Sequence, residues 1–282
     1  MADRRGPLAT FGTTRFRYQL SVERDKEPDP VYHEVPWRFH VRLLDDGRVV
    51  DDQSPFSAAC DNAEPTEAAY VNGADPEAQA WRTTYLDKCE VSLAARSVEL
   101  SPGVSALLVT QQTGQEDVYQ LHWLFLEHRG KLETLWSSPT GPGHASRIRV
   151  LPTGAKQQND LAFIDAWSPS LEVPNELVAS RLHFDRASGV KTTPLPDVRN
   201  PLFVTNLGTF KTPDAALEAW VRYRPCSFQY RVFKATLFSG RARGFILATV
   251  LVRKDDVKAE KSALSTCAGV SPPSIVEFHA SR

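Results

Sequence analysis

No stretch of this 282-residue chain approaches the ~20 consecutive apolar residues of a membrane-spanning helix. The opening residues, MADRRGPLATFG, are basic but lack the apolar core of about 7–15 residues that a secretory leader requires. Met1 is the only methionine, which fits either a true cytosolic start or a start placed where a leader was removed. There is no CxxC pair, no GxSxG elbow, no HExxH, no Walker loop and no GxGxxG, so the common signatures of redox, esterase, zinc-protease, nucleotide and dinucleotide chemistry are missing. Dense Lys/Arg runs are also missing, which argues against a DNA-binding protein.

What is present is an ordinary globular composition, 41% hydrophobic and 24% charged, with 20 prolines and 6 tryptophans. The prolines favour many short strands joined by turns. Charge is nearly balanced overall but unevenly placed. Residues 201–282 hold 12 Lys and Arg against 6 Asp and Glu, which leaves 21 against 28 before them. That change of sign suggests a boundary near 200. The four cysteines fall on either side of it, Cys60 with Cys89 and Cys226 with Cys267. One pair per part, with no metal-type spacing, favours two structural disulfides and an oxidising compartment. Four buried thiols in a cytosolic protein are the alternative.

Period-two alternation marks strands at Arg15–Val22 (Phe16, Tyr18, Leu20, Val22) and Val35–Leu44 (Trp37, Phe39, Val41, Leu43), and Asp45-Asp46-Gly47 is a hairpin turn. Residues 51–76 read as an irregular excursion, and Asp75-Pro76-Glu77 as the start of a short helix carrying Trp81 and Tyr85. Glu90–Leu100, Val104–Gln111, Val118–Glu127 and Lys131–Trp136 form an antiparallel meander punctuated by glycine turns. Ser137–Ser146 is a loop. Arg147–Leu151, Leu161–Ala166, Ser180–Phe184 and Val190–Thr193 are further strands. The expected architecture is α+β in two domains: residues 1–193 an antiparallel β-sandwich-like domain, residues 194–201 a linker, and residues 202–282 a βαββαβ domain of ferredoxin-like type. Its elements are strand 202–207, helix 213–223, strands 228–238 and 244–253, helix 255–267 and strand 274–280. Thr212 is placed to cap the first helix with Pro213 in its first turn.

No catalytic constellation stands out. His122 and His128 share a predicted strand but lie about 20 Å apart, too far for one metal. His33, His40, His144, His183 and His279 are singletons. Asp160 and Asp165 flank an apolar strand on opposite faces. No cofactor and no metal are expected. Aromatics and arginine at Phe228, Tyr230, Arg231 and Phe233 suit stacking on sugar rings or bases, and equally suit an ordinary core strand.

The run Thr205-Asn206-Leu207-Gly208-Thr209-Phe210 followed by Ala215-Ala216 resembles the opening strand and helix of the SPOR (sporulation-related repeat) family. In the second half, Ala259-Glu260 and Ala263-Leu264 fit the family's helix, whereas Phe245–Val252 lacks the family's strand arginine and glycine. The resemblance covers the C-terminal ~80 residues and implies a peptidoglycan-binding module of the bacterial cell envelope. It implies that glycan strands bind the open sheet face, with Asn206 in the position of the family's groove-lining glutamine. Asn206, Phe228, Tyr230 and Arg231 are the candidate ligand-binding residues. The expected function is therefore a non-enzymatic, periplasmic or secreted binding protein, its partner a glycan strand or an envelope protein. The rival readings are an RNA-binding βαββαβ module, faintly echoed by Arg243-Gly244-Phe245, and a hydrolase using loops 51–76 or 137–146, either of which allows a cytoplasmic location.

Overall fold

A computed structural model describes residues 16–24, 36–59, 69–72, 81–85, 91–113, 119–139, 144–153, 158–167, 175–185, 187–196, 202–223, 230–239, 241–251, 254–265 and 274–278. Phe228 and all four cysteines, Cys60, Cys89, Cys226 and Cys267, lie outside the described residues, and so does most of the expected linker. The described residues form mainly antiparallel β-sheet, with two α-helices among them.

Strands β1 (Phe16–Arg24), β2 (Pro36–Asp45), β3 (Arg48–Ala59) and β4 (Ala69–Asn72) form a first sheet in the order β3-β2-β1-β4. Alternation places Tyr18, Leu20, Phe39, Val41 and Leu43 in the core, none more than 2% exposed. Asp46 and Gly47 turn the β2–β3 hairpin at φ +48° and +80°, as the Asp-Gly signal requires. The second sheet begins with β5 (Trp81–Tyr85), β6 (Val91–Ser101), β7 (Val104–Thr113), β8 (Tyr119–His128) and β9 (Lys131–Ser137). It continues through β10 (His144–Thr153), β11 (Gln158–Trp167), β12 (Glu176–Asp185) and β13 (Gly189–Pro194). Its order is β13-β12-β11-β10-β8-β7-β6-β5, with β9 paired to β8.

Two expectations are corrected. Residues 51–76 are not irregular throughout, because β3 runs on to Ala59 and β4 follows. The segment read as a helix carrying Trp81 and Tyr85 contains strand β5 instead, paired residue for residue with β6 from Trp81↔Ala95 to Tyr85↔Val91. Thr83 and Thr84, stiff at χ1, suit that strand better than a helix.

The third sheet draws on β14 (Leu202–Phe210), β15 (Arg231–Lys234), β16 (Phe245–Leu251) and β17 (Ser274–Phe278), in the order β15-β16-β14-β17. Helix α1 (Pro213–Tyr223) joins β14 to β15, and α2 (Lys254–Ser265) joins β16 to β17. Thr212 caps α1 through its Oγ1, which accepts the Ala215 N–H at 3.3 Å. The strand expected over 228–238 is shorter, since Ala235–Leu237 forms a 3-10 turn after β15. Ala216 and Ala219 of α1 and Leu264 of α2 share one core with Tyr230, Val232 and Leu247, so both helices cover the same face.

By density of contacts the chain forms two compact units. One comprises residues 1–140, 150–160 and 183–191, the other residues 141–149, 161–182 and 192–282. In the second unit the described start of the expected linker is packed chain: Leu195 is buried and donates its N–H to Ala179 at 2.9 Å.

Candidate functional site

Of the described residues singled out in the C-terminal sheet, Asn206 and Arg231 both pair with Ala248 and share the helix-free face, whereas Tyr230 faces the helices. Asn206 sits at a β-bulge, where pairing with β16 slips between Asn206 and Gly208. Its Oδ1 accepts the Gly208 N–H at 2.9 Å, an Asx-type turn that holds the bulge. The Phe210 ring then lies over Gly208, where an added Cβ would stand 3.0 Å from Cζ. In this chain the Asn-Leu-Gly-Thr-Phe run thus shapes the strand itself.

Tyr230 is fully buried in the core beneath the helices. Burial pushes its phenol far up, aided by the Glu260 carboxylate and opposed by Arg147. Arg231 is half-buried, donates to the Tyr230 carbonyl at 2.9 Å and places its guanidinium 5.8 Å from the centre of the Trp220 ring. Trp220 and Tyr223, both half-buried, and the exposed Val221 and Arg222 belong to the same end of α1. Arg231 and these α1 residues form an aromatic and cationic patch of the unit.

The helix-free face of the sheet is not bare. Val204 pairs with Val250, Phe233 with Ile246 and Arg231 with Ala248, which puts them on the face opposite Val232 and Leu247. Leu202, Val204, Phe233, Ala248 and Val250 on that face are all buried. Ile164, Ala166 and Leu177 join Phe233 and Val250 around a cavity of about 10 Å³, room for a single water. Asn175 adds hydrogen bonds from both its backbone and its side chain to the Val232 carbonyl, at 2.8 and 3.1 Å. Phe238 continues the apolar layer, edge-on to Phe233 and to Phe278 at 5.5 and 5.9 Å.

Arg147 borders the same cavity, with Glu260 of α2 at 4.0 Å. Burial lowers its guanidinium to about 10, against the pull of Glu260 in the opposite direction. Arg149 pairs with Asp256 at 3.5 Å on the next turn of α2.

In the first unit the described histidines are held by neighbours that sheet register reveals. His122 and His128 are both buried in β8. The Nδ1 of His122 lies 2.9 Å from Thr110 Oγ1, and that of His128 lies 3.0 Å from Glu133. Asp160 is buried and accepts from His183 Nδ1 at 2.8 Å, while Asp165 is buried elsewhere on β11. One charged cluster was not legible in the sequence: Glu23, His40, Arg42 and Asp52. Arg42 reaches Glu23 at 2.6 Å and Asp52 at 2.9 Å, and His40 reaches Asp52 at 2.9 Å. The hydrogen bond from Arg42 lowers the Glu23 carboxyl. For Asp52, burial pushes upward, but hydrogen bonds from Arg42 and His40 outweigh it and the net shift is down.

Ser21 stands opposite His40 in register. Its hydroxyl accepts from Arg42 at 3.2 Å, while His40 Nε2 faces Glu23 at 3.9 Å. This is ion-pair geometry, in which the base is not aimed at a nucleophile. The His40-x-Arg42 spacing on the polar face of β2 was the available signal, but its partners come from β1 and β3, 17 and 12 residues from His40. Among the described residues no group of three or more His, Cys, Asp or Glu side chains is arranged to hold a metal ion. Among them, too, no helix is long and apolar enough to cross a membrane.

No protein-family model, curated protein or solved structure matches this chain.

Proposed function

We propose that this protein is a non-enzymatic binding protein of the bacterial cell envelope, in which a β-sandwich-like part accompanies a ferredoxin-like, SPOR-like unit that engages peptidoglycan glycan strands or an envelope protein. The observation that carries the reading is the order β15-β16-β14-β17 around a βαββαβ succession, with both helices packed on one face. Each part holds one disulfide in this reading, which suits the periplasm or the exterior. For the sandwich-like part, support comes from two antiparallel sheets that both bury alternate residues and meet where β3 side chains bond to Leu132 of β9.

With the helix-free face largely buried, the binding surface is assigned to the end of α1 and the start of β15. Arg231, kept from the expected set, acts there with Trp220 and Tyr223. An aromatic edge beside guanidinium groups suits the CH faces and hydroxyls of a sugar chain. The test is co-sedimentation of the full chain with peptidoglycan sacculi before and after amidase treatment. Greater pelleting on denuded glycan, lost in Arg231→Glu, supports the reading. Equal pelleting on both preparations, or none, removes the glycan ligand. A steeply salt-dependent shift of single-stranded RNA would favour the RNA-binding alternative.

A further inference from the structure

The sheet edges of this protein are not guarded alike. At β3 the Asp51 carboxylate accepts the Leu132 N–H at 2.7 Å and the Gln53 side chain donates to the Leu132 carbonyl, so side chains tie that strand to β9. Strand β13 carries Lys191 and ends in Pro194, two residues that discourage strand addition. Strand β15 has its Val232 carbonyl occupied by Asn175. Strand β17 differs. Among the described residues it is bordered by β14 alone, and four of its five residues are exposed, including Ile275 at 36% and Val276 at 49%. Its sequence, Ser274-Ile275-Val276-Glu277-Phe278, carries one charge and no proline. Such an edge is a template for another strand.

We propose that two copies of this chain pair antiparallel through β17, centred on Val276, to join their four-stranded sheets into one of eight strands. The sequence of the strand argues for a second copy as the occupant. Around a two-fold axis at Val276, Ser274 meets Phe278, Ile275 meets Glu277, and Val276 meets itself. The single carboxylate therefore falls opposite an isoleucine and never opposite its own copy, so no like charges confront each other. The central pair is β-branched, which is favourable across antiparallel strands. Because the axis is perpendicular to the sheet, the helix-bearing faces of both copies stay on the same side. The interface is isologous and closes at two, so both exposed edges are covered in a single step and no fibre grows from this contact.

The register makes the test specific. Light scattering coupled to size-exclusion chromatography, run on the full chain over a concentration series, should show a dimer. Val276→Lys places two ammonium groups opposite each other and should weaken the dimer by about tenfold or more. Val276→Glu should do the same, and mixing the two variants should restore a heterodimer. Ile275→Lys sets each new lysine opposite Glu277 of the other copy and should leave the dimer intact or tighter. Far-UV circular dichroism checks that each variant is folded, and because Val276 is half-exposed the lysine needs no buried space. A wild-type monomer at all concentrations, a dimer unaffected by Val276→Lys, or a dimer lost in Ile275→Lys would each overturn the proposal.

Discussion

Gly244 lies so close to Phe210 that a Cβ on it would stand 2.3 Å from the Phe210 carbonyl oxygen. It also has φ +87°, and its own carbonyl accepts the Ala235 N–H at 3.0 Å. The glycine that faintly echoes an RNA-binding signature thus has a packing role at the entry to β16. Gly244→Ala should destabilise the chain by about 3 kcal/mol through strain and clash together. Gly47→Ala, at φ +80° with nothing within 4 Å of its added methyl, should cost only about 1 kcal/mol. Denaturant midpoints of the two variants compare them directly, and equal costs would mean the contact with Phe210 does not matter.

The Glu23–Arg42–Asp52 network makes a prediction about acid. Both carboxyls titrate lower in the folded chain than their ordinary 4.5 and 3.8. Their contribution is therefore complete above those values and is lost as pH falls through the lowered ones. Urea midpoints should fall progressively below pH 4.5, and Arg42→Met should flatten that acid slope while lowering stability at neutral pH. An unchanged slope in Arg42→Met would show that the network does not couple to folding. Glu23 is half-exposed, so solvent screening keeps its share small.

Arg147 and Glu260 are a buried charge pair, with side chains 10% and 13% exposed. Glu260→Gln keeps the helix but removes the larger of the two carboxylate charges acting on the guanidinium, leaving Asp256, and should cost about 1–3 kcal/mol. The double variant Arg147→Met with Glu260→Leu should be more stable than Glu260→Gln alone, since it removes the charge as well as its partner. Chemical denaturation of the set decides the order. A double variant that is the least stable would mean the two residues act independently.

The envelope reading predicts that protein made in an oxidising compartment resists thiol alkylation until reduced, with peptide mass mapping giving Cys60–Cys89 and Cys226–Cys267. Four thiols that alkylate in folded, unreduced protein would move the compartment to the cytoplasm and weaken the glycan reading with it.

Local chemistry made much of this chain legible. The Asp46-Gly47, Pro102-Gly103 and Arg129-Gly130 turns mark hairpins because their glycines take up positive φ without strain, and the strands on either side follow within a residue or two. Thr212-Pro213 set the start of α1 for an equally local reason. What was hidden depends on register. His40 finds Asp52, and Asp160 finds His183, only because antiparallel pairing aligns residues 12 and 23 positions apart. Trp81 and Tyr85 sit four apart and imitate a helix face, yet pairing with β6 makes the segment a strand. Tyr230 and Arg231, adjacent in sequence and chemically suited to a ligand, part company because successive strand residues face opposite ways.

The interleaving of the two compact units has a consequence for how the protein is made. The first unit draws on residues 183–191 and the second on residues 141–149, so neither is a continuous stretch of chain. A ribosome that has finished residue 140 has not yet supplied everything the first unit needs. Strands β1 to β9 all precede that point and pair among themselves, Leu107 with Phe125 and Leu126 with Glu133, but the first unit is completed only when residues 183–191 have emerged, about fifty residues later. The closing pieces of the first unit are thus made after residues 141–149 and 161–182 of the second, so the order of synthesis crosses from one unit to the other and back.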